Sequence, residues 1–165
     1  MAAANYIDAL HKGHRLISID ESVIRYTDHR QHGWVRKDKR NQTTTSARSS
    51  GINLIAALCS SGELLYSVNV GMTNSHTFGF FLSKLCDHLD TEDALWRKKT
   101  VIVLDNANYH RGVPTIELMK ALRLPILYLG PYQFRMAPIE MVFNFIKDHD
   151  LNPLRTNFLD HGKAS

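Results

Sequence analysis

Two short apolar runs in this 165-residue chain lead into an aspartate: Arg15–Asp20 (RLISID), and Thr100–Leu104 (TVIVL) followed at once by Asp105. A carboxylate at the end of a buried strand escapes the core while its backbone stays rigid. In open α/β sheets ligands gather outside the carboxyl ends of the strands. Two such carboxylates invite a hard cation between them, because ions of that kind take oxygen ligands and need only a few. An aspartate after a strand is also a common turn former or helix N-cap, so each residue alone has an ordinary structural explanation. Glu140 is a third acidic candidate. It stands in the first turn of a helix opened by Pro138, beside an apolar stripe of Ile139, Val142, Phe143 and Ile146. There the helix dipole by itself favours a glutamate.

The elements that must hold these side chains are legible in outline. Arg15–Asp20 reads as a buried strand. Ile52–Cys59 and Glu63–Val70 flank the turn-forming Ser60-Ser61-Gly62 and predict a hairpin. Phe78, Phe81, Leu82, Leu85 and Leu89 share one helical face, with Asn74 or Ser75 as the N-cap. Thr100–Leu104 is β-branched and apolar, hence a fully buried strand. Pro114 suits the first turn of a helix running to about Arg123, and Pro125–Leu129 is a further short strand. A short strand near Trp34–Val35 is also expected, with the Trp34 ring read as a packing anchor or a base-stacking surface. A hairpin followed by alternating helices and strands predicts one α/β domain over 1–165: a mixed five-stranded sheet with helices on both faces.

Composition narrows the class. With 44% hydrophobic and 22% charged residues the chain is globular. Cys59 and Cys86 are too few for a disulfide framework and read as buried thiols. No run approaches the roughly 20 apolar residues of a membrane span, and the first 15 residues lack the apolar stretch of a signal peptide. The net charge of +4 is uneven, with seven basic against two acidic residues between positions 22 and 50. That segment is either a solvated loop or a contact for a polyanion. Asp28, His29 and His32 lie together in it, but a zinc site needs a second pair of ligands that the sequence does not offer.

Taken with their surroundings, Asp20 (ISIDES), Asp105 (VIVLDNANYH) and Glu140 (APIEMVFNF) resemble the DDE transposases of the Tc/mariner superfamily. The 34 residues between Asp105 and Glu140 are the spacing of one large branch of that family. Asp20-Glu21-Ser22 is similar to its first-strand aspartate and glutamate, and Gly33-Trp34 to its glycine-tryptophan pair. Asp105-Asn106-Ala107 with His110 resembles the DNAxxH motif, and Pro138-Ile139-Glu140 the end of NPIE. The chain departs from the family in four places. Gly130 precedes Pro131-Tyr132 where a second proline is usual, Gln133-Phe134 replaces Ser-Pro, Ala137 replaces the asparagine, and Phe143 the last-helix tryptophan.

The resemblance implies a ribonuclease H-like fold and a transposase catalytic domain that cuts and joins DNA with two Mg2+ or Mn2+ ions. Asp20 would bridge both ions, Asp105 would complete one and Glu140 the other. Asn106 and Tyr109 would contact DNA or orient a carboxylate. His110 would serve a structural or phosphate-contacting role, since an ion-activated water needs no separate base. Transposon ends and target DNA are the implied partners, with a homodimer on DNA and nuclear localisation in a eukaryote, cytoplasmic otherwise. An N-terminal helix-turn-helix reader is expected to be absent, because 19 residues precede Asp20. The rival readings are another ribonuclease H-like nuclease and a domesticated transposase domain kept for DNA binding or assembly. The basic stretch would be a clamp against DNA or a second subunit, densest at Arg36, Lys37, Lys39 and Arg40. Charge reversal of those four is expected to flatten the salt dependence of duplex DNA binding by about 0.9 in log–log slope for each lost phosphate contact. A titration series showing the wild-type slope would rule out the DNA contact.

Overall fold

The structure is a computed structural model and describes residues 2–25, 51–130 and 137–148. The Trp34–Val35 strand, the Asp28, His29 and His32 group and the cluster Arg36, Lys37, Lys39 and Arg40 lie outside the described residues. In chain order the elements are α1 (Ala2–His11), β1 (Arg15–Arg25), β2 (Gly51–Cys59), β3 (Leu64–Val70), α2 (Ser75–Glu92), α3 (Trp96–Lys99), β4 (Thr100–Leu104), α4 (Val113–Ala121), β5 (Ile126–Tyr128) and α5 (Ile139–Asp148).

The sheet order is β3-β2-β1-β4-β5. The hairpin pairs antiparallel, Leu58 opposite Leu64, and β2 runs antiparallel to β1. β4 lies parallel to both β1 and β5. This is the mixed five-stranded sheet the sequence predicts, with helices on both faces. Gly62 closes the hairpin at a φ of +93°, a conformation that a residue with a Cβ rarely takes.

Alternation along the central strands creates two cores. On one face Ile17, Ile19, Ile55, Ala57, Ile102 and Leu104 pack against Phe78, Phe81, Leu82, Leu85 and Leu89 of α2, with Met119 of α4. On the other face Leu54 and Ala56 pack against Ile139 and Phe143 of α5, joined by Ile24, Val142 and Ile146. Both predicted helical stripes are therefore the faces their helices bury. Phe143, which stands where the Tc/mariner pattern has tryptophan, is buried in the smaller core, and Ala137 packs at its edge. Cys59 and Cys86 are buried free thiols. Among the described residues, no helix is long and apolar enough to cross a membrane.

The structure corrects one expectation. Asp20 does not close its strand: β1 continues to Arg25, because β2 remains paired with it through Ser22, Ile24 and Arg25. What ends near Asp20 is the pairing of β1 with β4, whose last register pair is Ser18 with Val103. The structure also adds α1, which periodicity does not signal. Its apolar Ile7 and Leu10 are each 48% exposed, and among the described side chains of the helix only Ala9 is buried. Alanine's helix propensity, more than a buried stripe, writes this helix.

Asn74 is the N-cap of α2. Its Oδ1 accepts from the amides of His76 and Thr77 at 2.9 and 3.1 Å, while Thr77 Oγ1 accepts from the Asn74 amide at 2.9 Å. Asn74→Ala is expected to cost about 1 kcal/mol, and Leu82→Ala, in the larger core, about 2–5 kcal/mol. Urea midpoints at unchanged m-values would measure both, and an Asn74 cost equal to that of Leu82 would contradict the capping assignment.

Candidate active site

The parallel register of β1 and β4 places the first two carboxylates. Ser18 pairs with Val103, so two residues further on Asp20 and Asp105 lie side by side where the strands part. Glu140 arrives by a different route. Its neighbour Ile139 is fully buried against Ala56, and Ala56 is the register partner of Asp20 across β2. Docking this one side chain therefore sets the first turn of α5 above the face that carries Asp20. The three candidates come from three elements and up to 120 residues of sequence, and the fold brings them to one corner of the sheet.

Their charges interact. Burial pushes the Asp20 carboxyl up to about 7, and the negative charges of Glu21, Asp105 and Glu140 push in the same direction. The amide of Glu21, donating to Asp20 Oδ1 at 2.7 Å, offsets only part of this. Asp105 is shifted the other way. The hydrogen bond from His110 holds its carboxyl below the ordinary carboxylate value, with a second donor in the amide of Ala107 at 2.9 Å. One member of the pair is thus firmly ionised and the other sits near neutrality.

Oxygen donors from three carboxylates suit a hard cation such as Mg2+ or Mn2+, and a carboxyl raised by burial and by like-charged neighbours is one whose ionised form such an ion would favour. The three do not bring one oxygen each within 4.8 Å of one another; among the described residues the group that does is Glu63, His88 and Glu92. The Glu63 group already holds a cation of its own. Arg15 donates to Glu92 from both terminal nitrogens at 3.1 Å and lies 3.8 Å from Glu63, while His88 Nε2 is 2.9 Å from Glu63. It is an ion-pair network at the start of β1.

Behind Asp105 lies a buried polar cluster. His110 Nδ1 is 2.7 Å from Asp105 Oδ1 and its Nε2 is 3.1 Å from Glu21 Oε1, while the Tyr109 hydroxyl donates to Glu21 Oε2. The His110 ring is 0% exposed and lies 4.4 Å from the ring of Phe78. Burial works against its charge, but the hydrogen bonds to Asp105 and Glu21 prevail and raise it to about 9. With no exposed surface His110 reaches no phosphate, which removes that half of the sequence expectation. Asn106 donates from Nδ2 to the carbonyl of Leu129, tying the loop after β4 to the end of β5. Tyr109 orients a carboxylate, namely that of Glu21. Sequence reasoning passed over Glu21 as a site residue, although strand alternation after Asp20 already aims it at the opposite face.

The sequence profile of the DDE superfamily endonucleases matches residues 15–160. No curated protein sequence matches the chain. Among solved structures, the Mos1 transposase paired-end complex with left transposon end is similar at 18% identity and a TM-score of 0.67, over 99% of this chain and 53% of that one. The Mos1 mariner paired-end complex with Mn aligns at 18% and 0.69, over 97% and 52%. The catalytic domain of Mos1 mariner transposase aligns at 17% and 0.63, over 99% and 78%. At these identities the likeness is one of fold, the ribonuclease H-like fold. The chain spans about half the length of the Mos1 chains in the complexes.

The titration of Asp20 gives a pH test. Its folded value, about 7, is above the ordinary 3.8, so its contribution to stability is complete below about 3.8 and is lost as pH rises through about 7. A divalent ion requires the ionised form. Added Mn2+ or Mg2+ is therefore expected to raise Tm more at pH 8 than at pH 5, an interval over which His110 stays charged. Thermal scans showing equal shifts at both values, or a larger one at pH 5, would overturn the assignment.

Proposed function

The chain belongs to the DDE superfamily endonucleases, and from that premise we propose that it is the catalytic domain of a Tc/mariner-type transposase, cutting phosphodiester bonds at transposon ends and joining them to target DNA. The observation that carries the reading is the placement of Asp20, Asp105 and Glu140 about the corner where β1 and β4 part, with the Asp20 carboxyl raised chiefly by burial and further by the charges of its neighbours.

Asp20, Asp105 and Glu140 would together hold two divalent ions, Asp20 contributing to both and Asp105 and Glu140 to one each. Bound there, Mg2+ or Mn2+ supplies charge neutralisation at phosphorus and activation of water. The residues of the chain do the rest. β1 and β4 hold two carboxylates on rigid backbone, His110 keeps Asp105 ionised, and the Ile139 and Phe143 contacts keep Glu140 over the sheet. A free 3′ hydroxyl at the cut end would occupy the same corner for joining.

The match to DNA-bound Mos1 complexes supports DNA as partner and a paired assembly on it, and the basic stretch at Arg36, Lys37, Lys39 and Arg40 would form the contact. The described residues carry no evident reader of DNA sequence, so binding by this chain is expected to be weak and little dependent on sequence.

Asp20→Asn, Asp105→Asn and Glu140→Gln are each expected to lower Mn2+-dependent nicking of duplex DNA by at least about a hundredfold, the loss of several kcal/mol of transition-state stabilisation. Full nicking by Asp20→Asn or Asp105→Asn would remove the assignment. Parallel assays on an RNA–DNA hybrid and on a precut DNA end separate a transposase from a hybrid-cutting relative, since only the former joins the precut end to a target.

A further inference from the structure

Asp20 and Glu21 are adjacent in sequence, yet the pleat of β1 sends them to opposite sides of the sheet. Ile17 and Ile19 point into the core under α2, and Glu21 continues their row toward Tyr109 and His110. A carboxylate only 10% exposed beside an apolar core is costly without partners. Glu21 has two: the Tyr109 hydroxyl on one oxygen and the His110 imidazole on the other. The far nitrogen of that ring meets Asp105.

We propose that Glu21 and His110 are a positioning pair for Asp105, Glu21 acting through the imidazole and not as a metal ligand; the proposal rests on the metal–carboxylate reading above. The geometry leaves the ring little freedom. Phe78 packs on it at 4.4 Å, Tyr109 meets it at 4.5 Å, and the Tyr128 hydroxyl donates to the His110 carbonyl at 3.1 Å. Its Nδ1 and the Ala107 amide both converge on Asp105 Oδ1, which leaves Oδ2 as the oxygen for a cation. Asp105 itself is 52% exposed, so without this support its side chain would rotate in solvent. Glu21 completes the arrangement by fixing the ring from behind, as carboxylates behind ligating histidines do in other metal centres, here with a carboxylate in the ligand position.

The test is Mn2+ affinity of the full chain by electron paramagnetic resonance, with folding checked by circular dichroism at the same temperature. Glu21→Gln and His110→Gln are each expected to weaken Mn2+ binding roughly tenfold. The double variant is expected to lose no more than about tenfold, because the two residues act in series, whereas two independent losses would multiply to about a hundredfold. Wild-type affinity in a folded Glu21→Gln variant overturns the pair and leaves the cluster a packing feature. A hundredfold loss in the double variant overturns the series arrangement and makes Glu21 a separate contributor. If a glutamine variant fails to fold, Tyr109→Phe takes its place. It keeps the ring against His110 and removes only the hydroxyl from Glu21, for an expected loss of roughly threefold, and unchanged affinity again overturns the pair. Asp105→Asn is the reference. If it leaves Mn2+ binding intact, the metal–carboxylate reading itself fails, whatever the Glu21 variants do.

Discussion

The pleat of a single strand governs the chemistry of this domain. Side chains alternate along β1 with a period of two, so neighbouring carboxylates cannot share a face. Asp20 goes to the side covered by α5, with Ser18 and Ser22 flanking it, and Glu21 goes to the side covered by α2. A shift of one residue in the pairing with β2 would exchange them, placing Glu21 at the open corner and Asp20 in the apolar core. The register is held by the same alternation that buries Ile17 and Ile19, and a slip would cost those contacts as well.

The two faces deal with negative charge differently. Glu21 is matched by a hydroxyl and an imidazolium and is stable where it lies. Asp20 is raised to about 7 chiefly by burial, with three like-charged neighbours adding to it and one backbone donor offsetting part. A site meant only to stabilise the fold would be expected to satisfy both. Asp20 is the less satisfied of the two. Asp105 lies between the two regimes, firmly ionised through His110 yet open to solvent.

Much of this was legible in the residue order, because the signals were local. The TVIVL run, the i, i+3, i+4 stripes of α2 and α5 and the Ser60-Ser61-Gly62 turn each carry their own period or punctuation, and each forms the element it predicts. Asp105 follows β4 directly, as the apolar run with nothing beyond to extend it predicts. Asp20 looked equivalent, but a strand on one side of β1 stops while the strand on the other continues, and no one-dimensional pattern records which neighbour a strand keeps. Helix α1 escaped because propensity without a stripe resembles any polar lead-in. The bond between Glu21 and His110 spans 89 residues and rests on no repeat or spacing rule. A buried glutamate beside a strand aspartate was the available clue, and it required strand alternation to be carried one residue further.

The carboxylates are held by different cores: among the described residues, Asp20 and Asp105 follow strands packed under α2, whereas Glu140 stands on α5, which is seated by Leu54, Ala56, Ile139 and Phe143. A substitution that loosens the seat of α5 would therefore be felt at Glu140 before it is felt at Asp20 or Asp105.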